Sequence, residues 1–294
     1  MTSYSKTRLS GVLLMTRAAF SFSIMALCVK LASRTLPSLE VVFFRSLMGT
    51  VMILSFIFAK GAPILGKERG LMTLRGMSGF LALTLHFYTL AHLPLGTAVL
   101  LNYTAPLFSA LLAALFLGEP LSPFLISMIL ISFSGVYLLA GGEIHHWNFM
   151  VFLGLLSAVF ASISYVSIRA VKASESPLTV IFYFTGISTI GSLFFLPFGF
   201  KWPDAQAWLA LVGVGIGSFY GQLWMTMALR QAPTSLISPF FYLTPLLSFF
   251  YGILFFHDRL SLRGMCGAIL VILGGSLVPI FEARRSAEGS GGMG

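Results

Sequence analysis

Runs of about twenty apolar residues, the length that crosses a bilayer as a helix, recur along this chain. Each is closed by a short stretch of charge, proline or glycine. Ten runs are read, at roughly 9–32, 39–59, 70–91, 95–117, 121–141, 149–170, 177–199, 206–229, 235–256 and 262–282. The connections are brief and carry turn-forming residues: "RTLPSLE", "HLPLG", "GEPLSP", "KASESP", "GFKWPDAQ" and "RQAPTS" are typical. The pattern predicts ten membrane-spanning helices and leaves no room for a soluble domain.

The fourth run is echoed by the ninth. "LNYTAPLFSALLAALFLGEPLS" at 101–122 and "FFYLTPLLSFFYGILFFHDRLS" at 240–261 align at an offset of 139. Tyr103 falls on Tyr242, Pro106 on Pro245, Ser109 on Ser248 and Glu119 on Asp258. The echo extends backward, with Pro37 near Pro177, and forward, with Gly135 near Gly274. Two units of five helices follow, 1–141 and 142–283. Five is odd, so the second unit starts on the opposite side of the membrane. The expected fold is an all-α integral membrane protein: ten transmembrane helices as two inverted five-helix repeats around a central cavity. Inverted repeats are the design of secondary transporters, which expose a site between the halves to each side in turn.

Composition sharpens this picture. Apolar residues make up 57% and charged residues 9% of the 294, with a mean hydropathy of +0.93. A soluble domain carries roughly 25% charged residues, so the lipid bilayer is the expected solvent. The net charge of +9 does not indicate nucleic acid, because the basic residues fall singly in short loops. Eleven of them (Lys6, Arg8, Lys60, Lys67, Arg69, Arg75, Arg169, Lys172, Arg230, Arg284 and Arg285) are read on the side of the N-terminus. Four (Arg34, Lys201, Arg259 and Arg263) are read on the other. The positive-inside rule then puts both termini in the cytoplasm of a multi-pass plasma (inner) membrane protein. Arg17 and Lys30 interrupt the first run and no small-residue cleavage site follows it, so that helix is expected to be retained. Residues 284–294 read as a flexible cytoplasmic tail, and Cys28 and Cys266 as small core residues without a disulfide.

Particular motifs resemble the drug/metabolite transporter superfamily, in its ten-helix EamA-type branch. They are "FFRSLMG" at 43–49, the stretch "FYTLAHLPLGTAVLLNYTAPLFSALLAALFLGEPLS" at 87–122, and its degenerate copy at 223–261. "NY..P" at 102–106 and "FYLTP" at 241–245 are similar to aromatic-amino-acid exporters of that superfamily, although Ala105 stands where such exporters can carry tryptophan. The resemblance implies export of amino acids or amino-acid-like metabolites. Uptake or exchange of S-adenosylmethionine, a nucleobase or a vitamin stays open, as does a non-transporting scaffold or enzyme.

Polar side chains inside spans are costly in lipid and face a cavity or a partner. His86, about one and a half turns from the outer end of the third span, and Asn102 and Tyr103, about two turns into the fourth, share a depth. Counterparts toward the cytoplasm are Gln222, Trp224, Phe241 and Tyr242, joined by Ser162, Tyr165 and Arg17. Ser162 and Tyr165, three apart, are expected on one helix face. Together these residues are the candidate substrate pathway, suited to a small amphiphilic organic solute whose ring or cationic amine meets aromatic faces. Pro106 and Pro245 each remove a backbone donor in mid-span and are candidate kinks or hinges. Arg45 is read as snorkelling to the outer interface or pairing with Glu40. Glu119 and Asp258 are read as backbone caps at turns.

No catalytic constellation, cofactor or phosphate loop is read, and His145 and His146 beside Glu143 make no metal site. The protein is therefore read as no enzyme. The small-residue stretches of the fifth and tenth spans suggest peripheral supports, with a homodimer contact as one use.

Overall fold

A computed structural model describes residues 3–117, 123–139, 149–171, 175–231, 237, 240–259 and 261–291. Glu119, Glu143, His145 and His146 lie outside the described residues. Among the described residues the chain is helical, without strands. The helices are α1 (Ser3–Ala32), α2 (Ser38–Lys60), α3 (Arg69–His92), α4 (Leu95–Asn102), α5 (Ala105–Leu117), α6 (Pro123–Leu139), α7 (Phe149–Ala170), α8 (Pro177–Leu193), α9 (Ala205–Gln231), α10 (Leu243–Phe256) and α11 (Leu262–Gly291).

Local chemistry sets many of the ends. Gly61 closes α2 in the left-handed region at φ 62°, and the Ala62 N–H reaches back to the Ile57 carbonyl. That is the geometry glycine permits without strain. Ser176 accepts from the Leu178 N–H with Pro177 at the first helical position. Asp204 likewise accepts from the Ala207 N–H at 2.7 Å, ahead of the first turn of α9. At the far end, α11 runs on through Gly291, past the boundary where the sequence suggests a tail. "FEARRSAE" contains good helix formers and no proline, so extending an existing helix costs little there.

Among the described residues, five helical segments are long and apolar enough by themselves to cross a membrane: Ser10–Ala32, Ser38–Lys60, Phe149–Ile168, Pro177–Phe198 and Ala205–Met225. The third span is less apolar because it carries Arg69, Arg75, His86 and His92. The fourth is divided into α4 and α5. Large apolar side chains stand outward without protein cover, among them Leu115 at 78% exposure, Phe194 at 79% and Leu209 at 77%. Lipid is the solvent that makes such a surface stable. Phe200, Trp202 and Trp208 form an edge-packed aromatic cluster near the start of α9, the amphipathic ring chemistry favoured at a membrane boundary.

The packing carries the repeat. Numbered as spans one to ten, the pairs in extensive contact include 1 with 8 (α1, α9), 3 with 6 (α3, α7), 2 with 7 (α2, α8), 4 with 9 (α4, α10) and 5 with 10 (α6, α11). Exchanging each span for the one five places along turns the first pair into the second and leaves the other three unchanged. That is the pattern expected of two halves related by a twofold axis.

The breaks in the two echoing spans also correspond. Pro106 offers no N–H to the Asn102 carbonyl, and Pro245 none to the Phe241 carbonyl. The chain turns just before each proline, with Tyr103 at φ −75°, ψ 4° and Tyr242 at φ −72°, ψ −4°.

The fifth and tenth spans use their small residues on each other. A Cβ on Gly135 would lie 2.6 Å from the Gly267 carbonyl oxygen, and one on Gly267 would lie 2.5 Å from that of Gly135. The glycines that suggested a homodimer contact are thus buried in a close approach within the chain.

Candidate functional site

Eight segments drawn from both halves line a cavity of about 110 Å3. His86, Asn102, Tyr103, Tyr165, Gln222 and Phe241 are on its wall. Tyr103 and Phe241 come from opposite halves, and their rings sit 4.6 Å apart between centroids. The Asn102 side-chain amide donates to the Ser157 hydroxyl at 3.1 Å, which fixes its orientation against α7. His86 is buried, and its Nδ1 has no hydrogen-bond partner.

Four other sequence candidates stand elsewhere. Ser162 is fully buried and donates back to the Val159 carbonyl, while Ala161, Ser164 and Tyr165 form the α7 wall. The i, i+3, i+4 set that faces the cavity begins one residue earlier than the Ser162–Tyr165 pairing assumes. Trp224 stacks 5.2 Å from half-exposed Tyr220, while Gln222 and Met225 face inward. Residues two apart on a helix point about 200° apart, so Gln222 and Trp224 cannot share a wall. Arg17 is exposed, and the wall contributed by α1 is Phe22, Met25 and Ala26 instead.

Tyr242 sits behind the wall and has a structural partner. Its hydroxyl donates to the Tyr103 carbonyl at 3.0 Å. That carbonyl is left over by the break, because the Leu107 N–H bonds to Thr104. The proline-linked break in one half is therefore satisfied by the tyrosine of the other.

Two arginines that sequence reasoning assigned elsewhere belong to the cavity. Arg45 neither snorkels nor pairs with Glu40: it is 3% exposed and its guanidinium carbon lies 4.9 Å from the Phe184 ring centroid. Glu40 instead accepts from the Lys201 backbone N–H. Arg75, counted above with a cytoplasmic loop, is 6% exposed and lies 4.3 Å from the same ring. Gly79, one turn further along α3, makes this possible. A Cβ there would fall on Arg75 Nη1 and within 2.7 Å of the Phe184 ring. Helical side chains ordinarily lean toward the N-terminus, yet Arg75 folds forward over its glycine into the cavity. An arginine inside an apolar span with glycine four residues later was the available signal.

Asp258 does act on backbone at a turn. It accepts from the Leu95 N–H at 2.8 Å and meets Lys30 at 3.7 Å, while Lys30 donates to the Leu93 carbonyl at 2.6 Å. One end of α1, the α3–α4 turn and the end of α10 are thereby tied together. In the loop between α2 and α3, Glu175 accepts from the Lys67 and Glu68 N–H groups, Thr179 donates to the Pro63 carbonyl and Tyr183 to that of Leu65.

The EamA-like transporter family pattern matches residues 9–141 and again 148–278. A pseudopaline exporter of Pseudomonas aeruginosa is 31% identical over 266 residues, covering 90% of this chain and 94% of that protein. An S-adenosylmethionine uptake transporter of Rickettsia felis is 25% identical, with 91% of each chain covered. One solved crystal structure superposes with a TM-score of 0.66 over 94% of this chain and 98% of that one, at 22% identity, a likeness of fold alone. With both halves matching the family pattern, and with a relative 31% identical across nearly its whole length, the chain belongs to the EamA-like transporter family and is a multi-pass membrane transporter rather than an enzyme.

Proposed function

We propose that this transporter is a secondary carrier that exports amino acids or amino-acid-like metabolites by alternating access between two inverted five-helix halves. The observation that carries the reading is the cavity shared by the halves, with Tyr103 of one ring-to-ring with Phe241 of the other. A site walled by both repeats changes shape when one rocks against the other. The wall mixes aromatic faces with the amides of Asn102 and Gln222 and with His86, which suits a solute that is part apolar and part polar.

At about 110 Å3 the cavity is below the roughly 300–1,000 Å3 of most ligand sites, so a bound solute needs the two halves to move apart around it. Access then requires loosening one end at a time. The Lys30–Asp258 tie is the outer closure and the α2–α3 loop bonded to α8 the inner one, with both termini in the cytoplasm. Pro106 and Pro245, where the backbone ladder is already interrupted, are the hinges. His86, Asn102, Tyr103, Tyr165, Gln222 and Phe241 form the solute path. The export direction draws support from the relative described as a pseudopaline exporter. The relative described as an S-adenosylmethionine uptake transporter favours a second reading, uptake of that solute.

Counterflow in proteoliposomes decides between them, using labelled amino acids, S-adenosylmethionine and nucleobases. The expected outcome is saturable exchange of amino acids, reduced at least tenfold by His86→Ala or Tyr103→Ala with normal membrane insertion, roughly the loss of one good buried contact. Exchange of S-adenosylmethionine alone establishes the second reading. No exchange by folded protein removes both.

A further inference from the structure

We infer that Arg45 and Arg75 form an anion site in the cavity, and that the transported solute presents a carboxylate to it; this rests on the amino-acid-like reading above. The aromatic faces read from the sequence suit a ring or a cationic amine; the charges in the cavity favour an anion over the amine.

Both guanidinium groups are nearly fully buried and line the cavity. Nε and Nη1 of Arg45 and Nε of Arg75 have no hydrogen-bond partner. No acidic residue with a described side chain reaches this wall. Glu40, Glu175, Asp204 and Asp258 are occupied with backbone N–H groups at other positions, and the ion pair found among the described residues is Lys30–Asp258. The charges are opposed instead by the face of Phe184, which both guanidinium groups share. A cation–π contact recovers only part of what an ion loses on leaving water. Two like charges around one ring also repel. A carboxylate entering between them relieves both costs, since each guanidinium offers donors in the fork geometry that carboxylates fit. Gly79 keeps the room for this arrangement. Ionisable groups buried at membrane depth mark solute pathways, and a doubly cationic wall rejects a solute whose only charge is an amine.

The test uses purified full-length protein in detergent and in proteoliposomes. Thermal unfolding is followed with phenylalanine, glutamate, phenylalaninamide, phenylethylamine and inorganic phosphate as probes. Phenylalanine or glutamate is expected to raise the unfolding midpoint in a saturable way, and the amide and the amine are not. Arg45→Gln and Arg75→Gln should each weaken carboxylate binding about tenfold or more, the loss of one charge-assisted hydrogen bond, with Arg→Lys recovering part of it. If either Gln variant fails to fold, the wild-type comparison of phenylalanine with its amide still decides.

The proposal is overturned if amine or amide protects as well as acid, if phosphate alone protects, if no anion protects, or if folded Gln variants bind carboxylates as wild type does. Counterflow separates the two levels of inference. Arg-dependent carboxylate binding without amino-acid exchange sinks the transport reading and leaves the anion site. Equal exchange of amino acids and their amides does the reverse.

Discussion

Arg75 illustrates how a single neighbour decides what a side chain does. Six residues into α3, it is close enough to a helix end to reach water, yet it folds the other way because Gly79 leaves the space. Tyr242 is the complementary case, a residue singled out by its repeat partner that closes a neighbour's backbone. Tyr242→Phe removes the donor to the Tyr103 carbonyl and leaves an acceptor unsatisfied in a buried position. The expected cost is about 0.5–2 kcal/mol, the range for interhelical hydrogen bonds in membranes. Unfolding in mixed micelles should register this as an earlier midpoint, and an unchanged midpoint would show that the bond contributes little. Carboxylate binding should survive, because the hydroxyl is outside the cavity wall.

Among the elements, the echoing spans are broken and the fifth and tenth are not. In the former, proline and tyrosine interrupt the ladder at matching places and put Tyr103 and Phe241 on the cavity wall. In the latter, Gly135 and Gly267 bring α6 and α11 into backbone contact away from the cavity. Gly267→Leu is expected to force that pair apart, at about 1–3 kcal/mol for an overpacked contact. The measurement is thermal unfolding together with solute affinity. Lower stability with unchanged affinity fits a peripheral support, whereas lost affinity at unchanged stability would link this pair to the site.

For the whole molecule, orientation is a matter of charge. Moving Arg75 from a loop into the cavity leaves ten basic residues against four, and the bias keeps its direction. A cysteine introduced into the 61–68 loop should therefore react with an impermeant maleimide only in inside-out vesicles. One introduced at Thr35 should react only in right-side-out vesicles. The opposite pattern would reverse the orientation and with it the assignment of outer and inner closures.

The helical, apolar character of the spans and the echo between the two halves are legible in the chain, although α1 and α11 run beyond the ends read for them. A bilayer imposes a length on every apolar run, and a duplicated gene keeps its prolines and tyrosines in register. Six of the ten pathway candidates stand on the cavity wall for a related reason: polar groups in lipid-embedded helices have few other places to go. Ser162, Trp224 and the two arginines escaped because their roles depend on rotation about a helix axis and on space left by a neighbour. A residue's angle on its helix is set by the helices packed around it, and the direction of Arg75 by a glycine and a phenylalanine, Phe184, that lies more than a hundred positions away in sequence. Hydropathy records depth in the membrane and says nothing of facing. Charge inside the cavity, which bears most directly on the solute, emerges only once the helices are assembled.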